Sequence, residues 1–531
     1  MRARPSVTIP TSESQSEVAA FMHGICGPST RRIDTHAASI FLTADRAWKL
    51  KQAVRFGYLD FTTQQRRKAA LEAEFALNRR TAPTLYIAVH PIARDSEGKL
   101  SIGGEGRPID WVLEMRRFAD DALLSEQAEA GNLDAAVLMR LAERLQQFHQ
   151  QAQVVTWMDA AASFKKVIED NAASMAAVAD ILGVKETSLL ASGHQSLCDR
   201  LQGLLQARGR EGRVRQGHGD LHLGNIAMID GEPTPFDCLE FSEALAQVDV
   251  LYDLSFLLMD LWHKRLQHGA NIVLNHYLDH SAIDEAGIEL LPLFLSVRAA
   301  IRAHVLAAQS LRCGRNLQIA EQARGYLTFA RTLLDPVQPR LIAIGGLSGS
   351  GKSTLARHIG HLLGRAPGAR ILRSDVIRKQ LAGMAPEAHL PRKHYSAAAS
   401  RQVYLRLTEL AGDTIRQGSA VIVDAVFADE GERAAAESLA HAAGVAFDGI
   451  WLTAEESQRT ARIQSRAPDA SDADAEVAHT QSSYDVGPLG GWQQISAGGS
   501  IDEAVASAVG ALRLSTTGTD SEPSNSVAEE Q

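Results

Sequence analysis

Residues 346–354 read GLSGSGKST and follow directly on the apolar run LIAI at 341–344. A strand that breaks into a glycine-rich turn and then opens a helix directs several backbone N–H groups towards one point, where they can bind phosphate oxygens. The spacing G-x-x-x-x-G-K-[ST] is that of a P-loop, in which the lysine reaches the outer phosphates of a nucleotide and the next hydroxyl binds Mg²⁺. The residues that we expect to bind the nucleotide are Gly346, Ser348, Gly349, Ser350, Gly351, Lys352, Ser353 and Thr354, with Ser353 also a Mg²⁺ ligand.

A second motif lies upstream, where residues 218–225 read HGDLHLGN and an aspartate follows at position 237. Phosphoryl transfer in kinase-like folds needs one carboxylate at the acceptor hydroxyl, and an amide and a second carboxylate on the metal ions. We expect Asp220 to act as a base or to orient the hydroxyl, and Asn225 and Asp237 to hold Mg²⁺. Asp230-Gly231 predicts a hairpin turn between these ligands. The competing interpretation is an acidic loop with a capping aspartate.

The stretch from about Ser39 to Asp253 resembles the aminoglycoside phosphotransferase family of kinase-like enzymes, above all in HGDLHLGN and FDCLEF. The resemblance implies an ATP site in which Lys49, on the second strand of a predicted hairpin, binds the nucleotide phosphates. It also implies that a glutamate on the following helix anchors this lysine. We choose Glu74 over Glu72 because it faces inward; the alternative for Glu74 is a solvated helix charge.

Two other features of this region depend on the same resemblance. The apolar strand 111–115 lies where such folds place the adenine hinge, so Met115 is expected to contact the base, although any buried strand has the same pattern. Asp249 and Asp253 resemble the family's aspartate that braces the catalytic loop, and a helix N-cap is the competing interpretation for either one. A glycine-rich G-x-G-x-x-G loop is absent before Lys49 in the sequence, as is usual in this family.

The C-terminal segment from about Gln338 to Leu514 resembles the adenylate-kinase-like P-loop kinases, which include gluconate kinase, polynucleotide kinase and zeta-toxin-like enzymes. Ligands of open parallel α/β sheets bind beyond the carboxyl ends of the strands. A strand is predicted over residues 369–375 and ends in Asp375, so we expect this carboxylate to orient the acceptor or to act as a base. Asp424 ends the next apolar strand and is expected to hold Mg²⁺ through water.

Three arginines follow a further predicted strand. Arg459, Arg462 and Arg466 are spaced by three and four residues, which places them on one side of a helix. The segment resembles the arginine lid of these kinases, in which planar guanidinium groups match phosphate oxygens. We expect Arg462 and Arg466 to be catalytic, and a solvated basic face is the alternative.

Composition sets the remaining expectations. The chain has 531 residues, 45% of them hydrophobic and 22% charged, which is ordinary for globular domains, and its net charge of −9 argues against broad binding to nucleic acid or anionic membranes. A local basic patch formed by Arg370, Arg373, Arg378 and Lys379 leaves nucleic acid open for the C-terminal domain. The four cysteines have neither metal-ligand spacing nor a disulfide framework, and the N-terminus has no apolar signal segment, so we expect a cytoplasmic protein. The oligomeric state stays open.

The sequence therefore predicts a chain of mixed α/β and α+β class. Residues 1–335 are expected to form a two-lobed protein-kinase-like domain, residues 336–514 a P-loop NTPase domain with a doubly wound parallel sheet, and residues 515–531 a disordered tail. The function that these domains indicate is bifunctional, ATP- and Mg²⁺-dependent phosphoryl transfer to small-molecule hydroxyl acceptors. Two alternatives remain: a nucleotide-sensing pseudokinase fused to a P-loop ATPase switch, and polynucleotide 5′-kinase activity in the C-terminal domain.

Overall fold

The computed structural model describes residues 13–27, 30–35, 37–56, 59–156, 159–240, 246–465 and 469–514. The chain divides into two compact units, the first comprising Met1–Arg265 and Leu290–Leu334 and the second Leu266–Glu289 and Asp335–Gln531. The predicted disordered tail at 515–531 and the candidate lid residue Arg466 lie outside the described residues.

The first unit begins with an antiparallel six-stranded sheet in the order β1-β2-β3-β8-β6-β7. Helix α2 lies against it, and the side chain of Thr63 caps this helix by accepting a hydrogen bond from the Arg66 N–H. The shared core between helix and sheet includes the buried residues Leu71, Leu85 and Leu113. The elements of this lobe are α1 (Glu13–Ile25), β1 (Arg31–Asp34), β2 (Ala38–Leu42), β3 (Arg46–Lys51), β4 (Arg55–Phe56), β5 (Leu59–Asp60), α2 (Gln64–Asn78), β6 (Tyr86–Arg94), β7 (Leu100–Ile102) and β8 (Arg107–Arg116).

A mainly helical lobe completes the first unit. Its hairpin β10–β11 turns at Asp230 and Gly231, whose φ angles of 52° and 82° are the pair of left-handed conformations that a tight two-residue turn requires, so the predicted hairpin is confirmed. The elements are α3 (Leu124–Glu129), α4 (Ala135–Gln151), α5 (Ala160–Ala177), α6 (Ala179–Leu182), α7 (Val184–Arg210), β9 (Val214–Gln216), β10 (Ile226–Ile229), β11 (Glu232–Pro235), β12 (Gln247–Asp249) and α8 (Val250–His263).

The stretch Ala282–Arg312 is long and apolar enough to cross a membrane by composition alone, with a mean hydropathy of 1.5, but 72% of its most apolar window is buried inside the protein. That burial is typical of a core helix.

The second unit is built on a five-stranded parallel sheet in the order β14-β15-β13-β16-β17. Both faces of the central strand, β13, are buried: Leu341 and Ala343 on one face belong to one hydrophobic cluster, and Ile342 and Ile344 on the other face belong to a second. In chain order, its elements are α9 (Gln267–Asp279), β13 (Arg340–Gly345), α12 (Lys352–Gly360), β14 (Arg370–Arg373), α13 (Ser374–Leu381), α14 (Ala397–Arg416), β15 (Val421–Asp424), α15 (Glu430–Ala443), β16 (Ala446–Thr453), α16 (Glu456–Ser465), α17 (Ala475–Ser482), β17 (Gln493–Ser496) and α18 (Ile501–Ala511). Two helices that lie between α9 and β13 in the chain belong to the first unit: α10 (Leu291–Arg312) and α11 (Leu317–Thr332).

These topologies confirm the predicted mixed α/β and α+β class: the first unit has an antiparallel sheet lobe and a helical lobe, and the second unit has a parallel sheet covered on both faces.

The boundary between the units differs from the sequence prediction, which assigned all of residues 1–335 to the first domain. Leu266–Glu289 belongs to the second unit. The physical reason is a buried polar network: the Asn275 carboxamide oxygen accepts hydrogen bonds from the Ile371 N–H at 2.7 Å and from Arg370 at 3.0 Å, and Glu285 pairs with Arg370 at 2.6 Å. A helical sequence pattern carries no information about such distant partners.

The network supports a prediction about stability. Arg370 is almost fully buried, so removing a carboxylate partner leaves part of its charge uncompensated. We expect Glu285→Ala to lower the free energy of unfolding of the second unit by about 3 kcal/mol. Urea denaturation of the full chain measures this value. The matched control is Asp413→Ala, which removes an exposed partner of Arg416 and should change the same value by less than about 0.5 kcal/mol. Equal effects of the two variants would contradict the structural role of Glu285.

Candidate active sites

The first site forms around Lys49 on β3. Its amine lies 2.6 Å from Glu74 Oε1 and 2.7 Å from Asp237 Oδ1, and Glu74 is fully buried on α2. Burial alone would lower the pKa of Lys49, but the carboxylates of Asp237 and Glu74 hold this pKa well above its usual value. The lysine is therefore a fixed positive charge. Glu72, the other candidate, pairs with Lys68 at 3.5 Å and is exposed.

Asp220 and Asn225 are joined on the loop after β9. The Asn225 amide donates hydrogen bonds to the Asp220 carbonyl at 3.0 Å and to its carboxylate at 2.9 Å. Burial would raise the pKa of Asp220, but a hydrogen bond and charge from His222, with the charges of His218 and Arg302, hold the pKa well below its usual value. Asp220 is thus an ionised carboxylate that is fixed in direction and is a weak base.

Asp237 and Asn225 lie at the open end of the β10–β11 hairpin, where the Phe236 N–H donates to the Asn225 carbonyl at 2.9 Å. Asp237 has a φ of 62°, which is strained for a residue with a Cβ, and its N–H donates to the Tyr86 hydroxyl at 3.1 Å. Burial would raise the pKa of Asp237, but the charge of Lys49 lowers it. Two oxygen donors, one of them charged, therefore lie at one end of the hairpin.

The two aspartates after the catalytic loop have different roles. Asp253 is fully buried and accepts hydrogen bonds from the His218 N–H at 2.7 Å and from the Gly219 N–H at 2.8 Å, so it braces the loop directly before Asp220. Asp249 instead caps α8 through the Leu251 N–H at 2.8 Å, and it also pairs with a buried arginine. Asp253 therefore has the predicted bracing role, and Asp249 has the alternative role of a helix N-cap.

Sequence reasoning missed two charged residues of this site, Lys51 and Glu240. Lys51 lies 2.7 Å from Glu74 Oε2 and also pairs with Glu240, and all three side chains are buried. The available signal was the alternation along β3, because residues two apart on a strand share a face and Lys51 therefore follows Lys49 on the same side.

Met115, the residue expected to contact the adenine base, lies on β8 within the six-stranded sheet. It is mostly buried and stands opposite Ala47 on one neighbouring strand and Tyr86 on the other. The strand continues for one more residue, to Arg116.

The second site is the P-loop between β13 and α12. Gly346, Gly349 and Gly351 have φ angles of 138°, 82° and 98°, which residues with a Cβ rarely adopt. A Cβ on Gly349 would lie 2.5 Å from the carbonyl oxygen of Arg459, so only glycine fits there. The Lys352 amine donates to the Leu347 carbonyl at 3.2 Å, and burial lowers its pKa. The loop therefore has the closed turn that the motif predicts.

Ser353 and Asp424 lie beside this loop. The Ser353 hydroxyl donates to the Asp424 carboxylate at 2.5 Å, because β13 and β15 are parallel neighbours whose carboxyl ends meet. Burial raises the pKa of Asp424, while Lys352 and Arg373 act in the opposite direction. A hydroxyl and a carboxylate thus meet at the end of the P-loop strand.

Asp375 is placed slightly differently from the prediction. Strand β14 ends at Arg373, and Asp375 lies in the first turn of α13, half-buried. Its charge acts on Lys352 and on Asp424, which places it on the P-loop side of the unit.

The two described arginines of α16, Arg459 and Arg462, have different surroundings. Arg459 is buried and donates to the Ser348 carbonyl at 3.3 Å and to the Ser482 hydroxyl at 2.5 Å, so it supports the P-loop from behind. Arg462 donates to the Ala497 carbonyl at 2.6 Å, and its other terminal nitrogen lies 3.9 Å from where a Cβ on Gly351 would be. Both described arginines of this helix thus lie beside the phosphate-binding loop: Arg459 contacts Ser348, and Arg462 lies near Gly351.

Comparisons with known proteins give one family model, curated relatives and distantly similar solved structures. Residues 341–485 match the family model of an AAA domain. The chain is 31% identical over 455 residues to an uncharacterized protein of Mycobacterium tuberculosis, covering 84% of this chain and 88% of the relative, and equally to one of Mycobacterium bovis. The AAA-domain match includes the P-loop between β13 and α12, and it supports nucleotide use by the second unit.

Solved structures with distant similarity include two kinases. A choline/ethanolamine kinase family protein from Mesorhizobium loti is 15% identical, covers 61% of this chain and 95% of its own, and has a TM-score of 0.38. A gluconokinase from Sinorhizobium meliloti is 20% identical, covers 33% of this chain and 93% of its own, and has a TM-score of 0.25. At these TM-scores the similarity says nothing about activity or substrate.

Proposed function

The chain belongs to the same family as the uncharacterized mycobacterial proteins, and for it we propose the function of a bifunctional ATP-dependent phosphotransferase that acts on small-molecule hydroxyl acceptors. One observation supports the proposal: each unit brings a lysine close to side-chain oxygen atoms that suit a metal ion and an acceptor hydroxyl. In the first unit the lysine is fixed 2.6 Å from Glu74 and 2.7 Å from Asp237. In the second unit the lysine is part of the P-loop.

Mg²⁺ fits the donors of both units. It prefers oxygen ligands, and it is usually held by one or two carboxylates together with substrate phosphates. Asn225 and Asp237 supply an amide oxygen and a charged carboxylate in the first unit. In the second unit Ser353 supplies a hydroxyl and Asp424 a carboxylate that acts through water. When bound, Mg²⁺ neutralises negative charge on the phosphates.

In the first unit Asp220 orients the acceptor hydroxyl. A carboxylate whose pKa is lowered accepts a proton poorly, so its main contribution is to fix the direction of the hydroxyl and to attract its hydrogen. The hydrogen bond from Asn225 at 2.9 Å and the brace from Asp253 hold this carboxylate in place. Lys49, anchored by Glu74, stabilises the phosphates. For Met115, packed in the sheet, a contact with the base rests on the family resemblance alone.

In the second unit Asp375 orients the acceptor and Arg462 stabilises charge on the transferred phosphoryl group. Phosphoryl transfer is catalysed mainly by positioning and by electrostatic stabilisation, so a guanidinium near the P-loop is well suited to this role. Arg466, outside the described residues, stays a proposed second lid residue. The roles of all these residues belong to the proposal.

A specific observation favours small acceptors over a polynucleotide. Three of the four basic residues of the patch that left nucleic acid open are paired with carboxylates: Arg370 with Glu285, Arg373 with Asp469 at 2.9 Å, and Lys379 with Asp472 at 3.2 Å. The fourth, Arg378, donates a hydrogen bond to the His394 carbonyl at 2.8 Å. Paired cations attract a phosphate backbone weakly.

All four cysteines are free, in keeping with the cytoplasmic location that we propose.

Calorimetric titration of the full-length protein with a non-hydrolysable ATP analogue and Mg²⁺ tests the proposal. We expect two nucleotides per chain. The full chain is required because Leu266–Glu289 completes the second unit, so a fragment that begins after residue 335 lacks part of its own fold. A single nucleotide per chain would contradict the bifunctional proposal.

Arg462 gives a separate prediction. We expect Arg462→Ala to lower the kcat of the second unit by about 10²-fold with a smaller change in ATP affinity, because the contact with phosphate strengthens as charge develops in the transition state. Steady-state kinetics in the Asp237→Ala background measures the second unit alone. The control Arg416→Ala removes an exposed arginine of the same unit. An unchanged kcat in Arg462→Ala would contradict a catalytic role for Arg462, whose hydrogen bond to the Ala497 carbonyl would then be structural only.

A further inference from the structure

Two histidines and a glutamate meet in the second unit, apart from the sites described above. His276 and His280 are one helical turn apart at the end of α9, and Glu387 comes from the segment that follows α13. One ligand atom from each of the three side chains lies within 4.8 Å of the other two. The two histidines are partly buried and Glu387 is exposed.

Hydrogen bonding fixes the orientation of His280. Its Nδ1 lies 2.8 Å from the His276 carbonyl oxygen and must donate, because a carbonyl can only accept. The other ring nitrogen, Nε2, therefore carries the lone pair in neutral imidazole, and it lies 3.1 Å from Glu387 Oε1. This contact is satisfied either by a proton on Nε2, as an ion pair with Glu387, or by a cation that binds both atoms. Metal-binding histidines are commonly held in this way, with the second nitrogen donating to a backbone carbonyl.

We propose that His276, His280 and Glu387 form a binding site for a divalent transition metal ion of the Zn²⁺ class. Two imidazole nitrogens and one carboxylate oxygen are a donor set that suits Zn²⁺, with water as a fourth ligand. Mg²⁺, which prefers oxygen ligands, suits this set poorly. Ligand atoms around tetrahedral Zn²⁺ lie about 3.3 Å apart, so the three side chains, whose ligand atoms lie within 4.8 Å of one another, move closer together when they bind the ion.

The metal would connect α9 to the segment that follows α13. A hydrogen bond already joins α9 to the last turn of α13, from the Gln380 amide to the Asp279 carbonyl at 2.9 Å. Helix α13 also carries Asp375, the proposed acceptor-orienting residue, at its other end. The proposed metal therefore has a structural role: it fixes the helix on which the acceptor site depends, and it takes no part in the reaction.

A second group of histidines in the same unit provides a matched control. The ring of His268 lies 5.3 Å from that of His358 and 5.4 Å from that of His361, measured between centroids. If bound metal depended on this group, His361→Gln would reduce the binding.

The test is titration of the chelator-treated, reduced, full-length protein with Zn²⁺ in millimolar Mg²⁺, with Co²⁺ as a spectroscopic probe of the ligands. We expect one Zn²⁺ per chain, binding weakened at least about tenfold in His280→Gln and in Glu387→Gln, and binding unchanged in His361→Gln. Glu387 is exposed, so Glu387→Gln keeps the fold, and thermal denaturation without metal verifies this. The proposal is overturned if wild type binds no Zn²⁺, if both ligand variants bind it as wild type does, or if only His361→Gln loses it.

Discussion

Lys352→Ala should lower the kcat/KM for ATP of the second unit by about 10²- to 10³-fold, the loss expected when one preorganised group that stabilises developing charge is removed. The structure gives the physical reason. Lys352 opens α12, is held by the Leu347 carbonyl at 3.2 Å, and has a pKa lowered by burial, so a bound phosphate gains from a charge that water screens poorly.

The measurement is steady-state turnover of ATP in the Asp237→Ala background, where the first unit is silenced. Arg416→Ala serves as the control because it removes one positive charge from an exposed part of the same unit. Turnover that is equal in Lys352→Ala and in the control would show that the P-loop is not a working nucleotide site.

The second large effect separates two carboxylates of the first unit. We expect Asp237→Ala to weaken the binding of Mg·ATP at least about tenfold, and Asp220→Ala to leave this affinity nearly unchanged while lowering kcat by about 10²- to 10⁴-fold. Asp237 pairs with Lys49 at 2.7 Å among the phosphate-binding groups, whereas Asp220 acts on the acceptor.

Calorimetry with Mg·ATP in the Lys352→Ala background measures the affinity, and turnover with an identified acceptor measures kcat. Asp170→Ala is the control: this aspartate lies on the exposed face of α5, where it pairs with the exposed Lys166. An equal loss of nucleotide affinity in the Asp220 and Asp237 variants would contradict the division of roles.

Local motifs predicted much of both sites because they specify backbone geometry within a few residues. The glycines at 346, 349 and 351 predicted the turn that the structure has, and Asp230-Gly231 predicted the hairpin that places Asn225 near Asp237. Both features depend on conformations that few residues adopt, so the sequence states them directly.

Partners that are distant in sequence could not be predicted in this way. The spacing of Arg459 and Arg462 places both on one side of α16, but a period cannot tell that Arg459 is buried behind the P-loop. Likewise nothing near Asn275 indicates that its carboxamide completes the edge of β14, more than 90 residues away along the chain. The choice between Asp249 and Asp253 needed the same information, because both aspartates lie at the start of α8.

The central claim is that each unit transfers a phosphoryl group, and γ-labelled ATP tests it most directly. The full-length protein is incubated with labelled ATP and a pool of small hydroxyl metabolites, alongside Lys352→Ala, Asp237→Ala and the double variant. The account predicts labelled phosphometabolites, of which one part disappears in Lys352→Ala, the other part in Asp237→Ala, and all in the double variant. Release of labelled inorganic phosphate alone, or labelled products that persist in the double variant, would contradict it.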